Sequence, residues 1–444
     1  MRPGWGARED VDDLRACGCL LRNATRELRN AAPPVPSMTL SRRRLIAGFG
    51  AISAAASAAP LIEVPQAPAF PDRRNFRFRG VYLDAAFVHP FGMWPYASAS
   101  AYAAQRLQKP HSVGPVLNQR DAAVERFAHL INARAEDIAV VPSTMTGENL
   151  IVRSLGIGRD AGVVTDALHY DASLVLYEEL RRQGVPVRIA PITHKGIRLE
   201  DVRALITSAI RLVSISLVAA DTGFTHDLAE LCSIAHRRGA LVYADIIQAA
   251  GAVPIDVKES GVDFCSCGTY KWLMGEFGMA FLYIRPDSLE RLRRLEVGWR
   301  QMSHWVSHRF PFDATGANPV DYELRTDAAG RFEVSTPCWG ALAAVVGSLD
   351  YIRAQGIGAI IRHRQPLLER LQHELPRRGL IPLTPADSRS PIVAFAYRDA
   401  QKRWATRLAS EKIQVSLYPH RIRISVSVYN SMDDVEHLLD ALAV

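Results

Sequence analysis

An α/β fold built on a mostly parallel sheet, with helices on both faces, is what this sequence predicts, and three observations carry it. Short apolar runs without polar alternation recur, as in Ile138-Ala139-Val140-Val141, Gly162-Val163-Val164-Thr165 and Leu212 to Val218. Strands buried on both faces read this way. Amphipathic stretches separate them: Asp227 to Arg238 places Leu228, Leu231, Cys232 and Ala235 on one side and closes on Gly239, the residue type that ends helices. The two patterns alternate through the middle of the chain, which is the signature of strand-helix-strand crossovers.

The chain has 444 residues, long enough for two domains with full cores. Hydrophobic content of 48% and charged content of 22% belong to an ordinary globular protein. The net charge of +7 is spread in short runs such as Arg42-Arg43-Arg44, with no basic stripe interleaved with aromatics, so no nucleic-acid partner is expected. The six cysteines, at 17, 19, 232, 265, 267 and 338, form no zinc spacing.

Residues 1–37 carry no periodicity and read as an extension, or as a start assigned upstream of the true one at Met38. Residues 38–60 combine Arg42, Arg43 and Arg44 with an apolar small-residue core and Ala58-Ala59, the layout of a twin-arginine export signal. The core is too short and too rich in Ala and Gly for a stable membrane span. Periplasmic location with the twin-arginine machinery as partner is therefore expected, and cytoplasmic location if these residues are a plain helix. Residues 61–80 are a Pro- and Arg-rich linker. The large domain is expected over 81–315 and a smaller α+β domain over 316–444.

Within the large domain, Val81 to Ala86 is strand-like. The strand Ile138–Val141 runs into Pro142-Ser143-Thr144-Met145-Thr146-Gly147 and then a helix pattern. A hydroxyl- and Gly-bearing turn at a helix start offers free N–H groups and a positive dipole end, which suits a phosphate. Strands at 162–165, 185–189 and 212–218 alternate with helices at 174–182 and 198–210. Gly298 to Asn318 reads as irregular. Helices are expected at 339–352, 357–375 with a possible break at Pro366, 400–410 and 432–442, and strands at 391–397 and 422–428.

The chemistry concentrates between Val242 and Ile284. An apolar run ends in Asp245, Gln248 follows one helical turn later, and a second apolar stretch leads to Thr269-Tyr270-Lys271. A carboxylate and a lysine at the ends of buried strands suit pyridoxal 5'-phosphate (PLP), which needs an acidic partner for its ring nitrogen and an amine for a Schiff base.

Four segments then occur together: Asp245-x-x-Gln248; Thr269-Tyr270-Lys271 followed by Gly275-x-x-Gly278; Arg331-Phe332-Glu333 with Thr336-Pro337; and Arg423-x-Ser425 with Tyr429-Asn430. In that order and spacing the chain resembles the class V aminotransferases, the PLP fold-type-I group that holds kynureninases, isopenicillin N epimerase-like proteins and cysteine desulfurases. The resemblance covers about residues 80–444 and implies a large domain with a seven-stranded type of sheet, a homodimer and a role for each residue. Lys271 would carry the cofactor and shuttle the α-proton, and Asp245 would pair with the ring nitrogen. Gln248 would bond the ring 3-oxygen, and His169, or Tyr170 beside it, would stack on the ring. Thr144, Met145 and Tyr270 would hold the phosphate, with Thr336 reaching it across the dimer. Arg423 would clamp the substrate carboxylate bidentately. Two departures stand out. Many members have Asn before the turn where this chain has Ala220-Asp221-Thr222-Gly223, and the segment from Lys412 to Arg421 lacks the loop cysteine of desulfurases. Cys338 does not match that cysteine's position, so sulfur transfer is disfavoured. The expected activity is transaminase or lyase chemistry on an amino acid or amino-bearing peptide, with epimerisation or a desulfurase-like reaction as the alternative and a non-catalytic relative last.

Overall fold

Three strands with nothing but buried residues, Leu241–Asp245, Phe264–Gly268 and Ala280–Ile284, form the heart of the molecule. In this computed structural model, residues 69–109, 114–194 and 196–443 are described. The export-signal stretch, the N-terminal extension and residues 61–68 of the linker lie outside the described residues. In chain order the strands are β1 (Val81–Tyr82), β2 (Ile138–Val141), β3 (Gly162–Asp166), β4 (Val187–Ala190), β5 (Ile210–Ser216), β6 (Leu241–Asp245), β7 (Phe264–Gly268) and β8 (Ala280–Ile284). Seven of them make one sheet in the order β2-β8-β7-β6-β5-β3-β4. Only β8 runs against its neighbours; the pairs from β7 to β4 are all parallel.

Chain order reverses between β3 and β5, and ligands of open α/β sheets sit outside the carboxyl ends of the strands at such a point. Four strands end there on polar or minimal residues: Asp166 on β3, Ser216 on β5, Asp245 on β6 and Gly268 on β7. Register aligns Ser216 with Asp245 and Asp245 with Ser266. The apolar strand bodies fix this edge, because a one-residue slip would turn their buried side chains to the other face.

The Thr144–Ser154 helix is capped by the Ser143 hydroxyl, which accepts from the Thr146 N–H at 3.0 Å. Its Gly147 lies directly on the sheet: a Cβ there would sit 2.4 Å from Ser266 Oγ and 3.0 Å from Ser266 Cβ. Gly147→Ala is expected to lower stability by about 1–3 kcal/mol, the usual cost of overpacking. The loss should shrink in a Ser266→Gly background, as read from denaturant midpoints.

A second sheet is antiparallel, with β11 (Ile381–Pro382), β12 (Ile392–Ala396), β14 (Ser416–Tyr418) and β15 (Arg421–Ser425) in the order β11-β12-β15-β14. Its own core includes Leu368, Leu371, Phe395, Trp404, Ile422 and Ile424. β1 joins this sheet's surroundings rather than the large one: it pairs with β13 (Ile413–Gln414), and Asp84 bridges to Ser425. Residues 81–84 thereby connect the first strand to the last among the described residues.

Two expectations fail. The stretch from Gly298 to Asn318 is not irregular, for β9 (Met302–Ser307) pairs with β10 (Val320–Leu324) as an antiparallel ribbon. Neither strand buries a face, so Met302-Ser303-His304-Trp305-Val306-Ser307 shows no alternation for a sequence reading to find. Pro366 does not interrupt its helix, which runs from Ile357 to Arg377. Among the described residues no helix is long and apolar enough to cross a membrane.

Candidate active site

Lys271 follows β7 by three residues and is buried, yet its amine makes no hydrogen bond or ion pair with any described residue. Burial lowers its pKa to about 8, with Asp245 opposing and Arg423 adding to that shift. Its Nζ lies 5.8 Å from the centre of the Tyr270 ring, which stacks on Phe277 at 4.5 Å. Asp245 ends β6 with one oxygen accepting the Ile247 N–H at 2.9 Å; the other oxygen has no partner among the described residues. Burial pushes the Asp245 carboxyl up to about 6, against the pull of the Ile247 N–H and Lys271. A buried amine and a buried carboxylate are thus coupled, each with unused bonding capacity. Unpartnered buried charges are costly, and perturbed pairs of this kind gather at functional sites.

Thr144 opens its helix, and its hydroxyl accepts the Gly268 N–H at 2.8 Å. That bond ties the helix start to the end of β7. The backbone N–H groups of Thr144 and Met145 are in the first turn, where no helical carbonyl can serve them. A side chain at Gly268 would press on Thr144 Oγ1 at 3.2 Å and Ile247 Cδ1 at 3.0 Å, so the glycine keeps this corner open.

Gln248 is more constrained than the sequence suggested. Its oxygen accepts from Trp272 Nε1 at 2.8 Å and its nitrogen donates to the Ala86 carbonyl at 2.9 Å. One N–H is left for any other use.

His169 departs from the stacking expectation. Its side chain is fully enclosed. Nδ1 lies 2.9 Å from both the Tyr170 N–H and Ser216 Oγ; Nε2 lies 3.1 Å from Glu148 and 3.2 Å from Ser214. Both ring nitrogens are thus spent on a polar layer beneath the strand ends, and the alternative, Tyr170, is exposed.

Arg423, on β15, is buried but is not the free fork expected of a carboxylate clamp. Nη1 donates to the Ala220 carbonyl at 3.0 Å, and Nη2 to Ser416 Oγ at 2.8 Å and to Asp84 at 3.3 Å. A buried guanidinium requires a counter-charge, and Asp84 supplies it. Only the Nε–H is sealed without a partner. Thr336 is exposed and lines a cavity of about 490 Å³ with Pro142, Thr146, Glu333 and Cys338, but not with Lys271, Asp245 or Arg423.

Three residues of this site escaped the sequence reading. Asp84 had a signal, as a lone acid inside Val81-Tyr82-Leu83-Asp84-Ala85-Ala86. Glu148 and Ser416 had none, because a helix glutamate and a serine opening a short strand are ordinarily solvated.

The residues fit PLP: an unpartnered buried amine, an acid with a spare oxygen, and a helix start tied to the adjacent strand end. This is the arrangement of a PLP-dependent enzyme of fold type I. The class-V aminotransferase model matches residues 98–438, and the chain belongs to that PLP-dependent family. The chain is 26% identical over 328 residues to the uncharacterized aminotransferase YcbU of Bacillus subtilis (strain 168), covering 74% of this chain and 84% of that one. It is 26% identical over 353 residues to a cysteine desulfurase of Escherichia coli O157:H7 (strain EC4115), covering 75% and 84%. Among solved structures it resembles C-DES, a cystine C-S lyase determined with its product cysteine persulfide. There the TM-score is 0.72 at 20% identity, over 84% of this chain and 98% of that one.

Proposed function

We propose that this enzyme acts at the α-carbon of an amino acid or amino-bearing peptide and completes transaminase or lyase chemistry. The observation that carries the reading is the unpartnered Lys271 amine, buried and coupled to Asp245. PLP, when bound, supplies the electron sink that makes an α-proton removable. Lys271 attaches the cofactor and then, with a pKa near neutrality, is matched to taking and returning that proton. Asp245 holds the ring nitrogen through its spare oxygen. Thr144 and Met145 present N–H groups to the phosphate. Arg423 receives the substrate carboxylate by exchanging its Asp84 contact for it.

The test incubates the PLP-loaded protein with a panel of amino acids and short peptides. A ketoacid with conversion of the cofactor to its amine form supports transamination, and ammonia with pyruvate or a related product supports a lyase. Racemised substrate alone, or no reaction with any amine, overturns the proposal.

Sulfur transfer is a second reading, favoured by the similarity to a cysteine desulfurase. Cys267 is coupled to Lys271 but is sealed, and burial pushes its thiol far up. Cys338 is exposed at the start of the Trp339–Gln355 helix, in the cavity with Thr336. If cysteine is a substrate, Cys338→Ala is expected to release sulfide at the wild-type rate. Loss of release would establish Cys338 as a sulfur acceptor.

Export and dimerisation belong to the same proposal. The run Arg42-Arg43-Arg44 before an apolar stretch supports the first, and the exposed Thr336 beside the helix start supports the second. Mature protein found only in the cytosolic fraction, or a monomer by light scattering, would sink either part.

A further inference from the structure

We infer that Glu148 is a positioning residue of the cofactor site: it fixes the His169 proton on Nε2 and leaves one net negative charge behind Asp245. The inference rests on the assignment of Asp245 and Lys271 to the cofactor.

Glu148 stands one turn into the helix whose start carries Thr144 and Met145, and it is fully buried. Its Oε1 accepts from Tyr177 at 2.6 Å, Ser214 at 2.9 Å and His169 Nε2 at 3.1 Å. Its Oε2 accepts from Ser173 at 2.6 Å. These donors come from the Asp171–Arg182 helix, from β5 and from the turn after β3. A carboxylate with that many donors is stabilised in its ionised form. Burial pushes its pKa up, and the hydrogen bonds from His169, Ser173 and Tyr177 pull it down.

The other edge of the His169 ring decides the tautomer. The Tyr170 N–H can only donate, and it points at Nδ1 at 2.9 Å. Nδ1 is therefore the bare nitrogen, and the Ser216 hydroxyl can add a second donor to it. The ring's one proton sits on Nε2, toward Glu148. Burial lowers the His169 pKa and Glu148 raises it, with the net shift upward, but a doubly protonated ring would set an Nδ1–H against the Tyr170 N–H, so the geometry at Nδ1 keeps the imidazole neutral beside its carboxylate. The pair then carries a full negative charge.

Burial raises the Asp245 pKa most, and the Glu148 carboxylate adds to that push. The remaining ionisable groups around the pair are Asp166, itself bonded to His226 at 3.0 Å, and the buried phenols of Tyr177 and Tyr243. Arg423, Asp84 and Cys267 act on Lys271 from the other side. A fixed negative charge behind Asp245 favours the protonated, cationic forms of the ring nitrogen and of the lysine linkage.

The test follows the visible absorbance of the PLP-loaded full chain against pH in wild type, Glu148→Gln and Glu148→Asp. Removing the charge is expected to move the titration midpoint to lower pH by roughly half a unit or more, the size of a charge interaction at an effective dielectric of about 20. The Asp variant, which keeps the charge, is expected to stay near wild type. A midpoint unchanged in Glu148→Gln overturns the inference. Absence of any visible cofactor band in wild type would instead remove the cofactor assignment itself. Independently of variant folding, histidine-labelled cofactor-free protein, with the His169 signal assigned through His169→Asn, is expected to show a neutral Nε2–H ring from pH 6 to 9. A doubly protonated ring in that range overturns the inference as well.

Discussion

Lys271→Ala yields a protein that binds PLP without covalent attachment, so the cofactor and its absorbance are removed by dialysis, and turnover falls by roughly 10²–10⁴-fold or more, the range lost with a positioned acid-base group. The expectation follows from the isolation of the amine. No described residue accepts a hydrogen bond from Lys271 Nζ, so no neighbour stands ready to replace it. The depressed pKa adds a pH signature. With the amine half-neutral near pH 8, capture of PLP by cofactor-free wild-type protein is expected to speed up as pH rises and to level off above about pH 8. An ordinary lysine would keep gaining up to its usual value near 10.5. A capture rate still climbing steeply between pH 9 and 10.5 would contradict the burial argument.

The same shift has a stability counterpart. The folded-state pKa lies below the unfolded one, and the charged form is the one that burial disfavours. The penalty is full below about pH 8 and vanishes as pH rises toward 10.5. Lys271→Met, which keeps volume, is therefore expected to raise the melting temperature of the cofactor-free protein at pH 7, by as much as about 3 kcal/mol in stability. The gain disappears at high pH. A site that becomes more stable when its chemistry is removed is the usual trade between stability and activity.

Much of this was legible in the residues, and what was not has a physical pattern. Strands β2, β3, β5 and β6 announced themselves because both faces are buried, leaving uninterrupted apolar runs. Asp245 and Lys271 could be read because a charge ending such a run has no solvent to explain it. Partnerships were invisible. Nothing local says that Asp84 meets Arg423 across 339 positions, or that Trp272 takes the oxygen of Gln248. Each arises because a buried polar atom must find a partner somewhere, and the sequence names the need without naming the partner. The β9–β10 ribbon was missed for the opposite reason, since an element with no buried face leaves no periodicity.

Asp245→Asn carries the second large effect, and its geometry makes it more than a charge deletion. In the wild type one carboxylate oxygen is held by the Ile247 N–H, which leaves the other to accept from a protonated ring nitrogen. Asparagine would keep its oxygen on Ile247 and turn its amide N–H groups toward the ring, a donor facing a donor. The ring nitrogen would then have to remain unprotonated and would stabilise negative charge at the α-carbon poorly. Turnover at saturating PLP is expected to fall roughly 10²–10³-fold, the scale of losing a preorganised electrostatic contact. Stability should move the other way. The Asp245 pKa is raised from 3.8 to about 6, so the carboxylate contributes no penalty below about pH 4 and its full penalty above about pH 6. Cofactor-free Asp245→Asn is therefore expected to match wild type at pH 4 and to exceed it at pH 8, by up to about 3 kcal/mol. Melting both proteins at the two pH values separates this from a packing defect, which would lower stability at each. An activity loss with equal destabilisation at both pH values would mean that Asp245 supports the strand end rather than the cofactor.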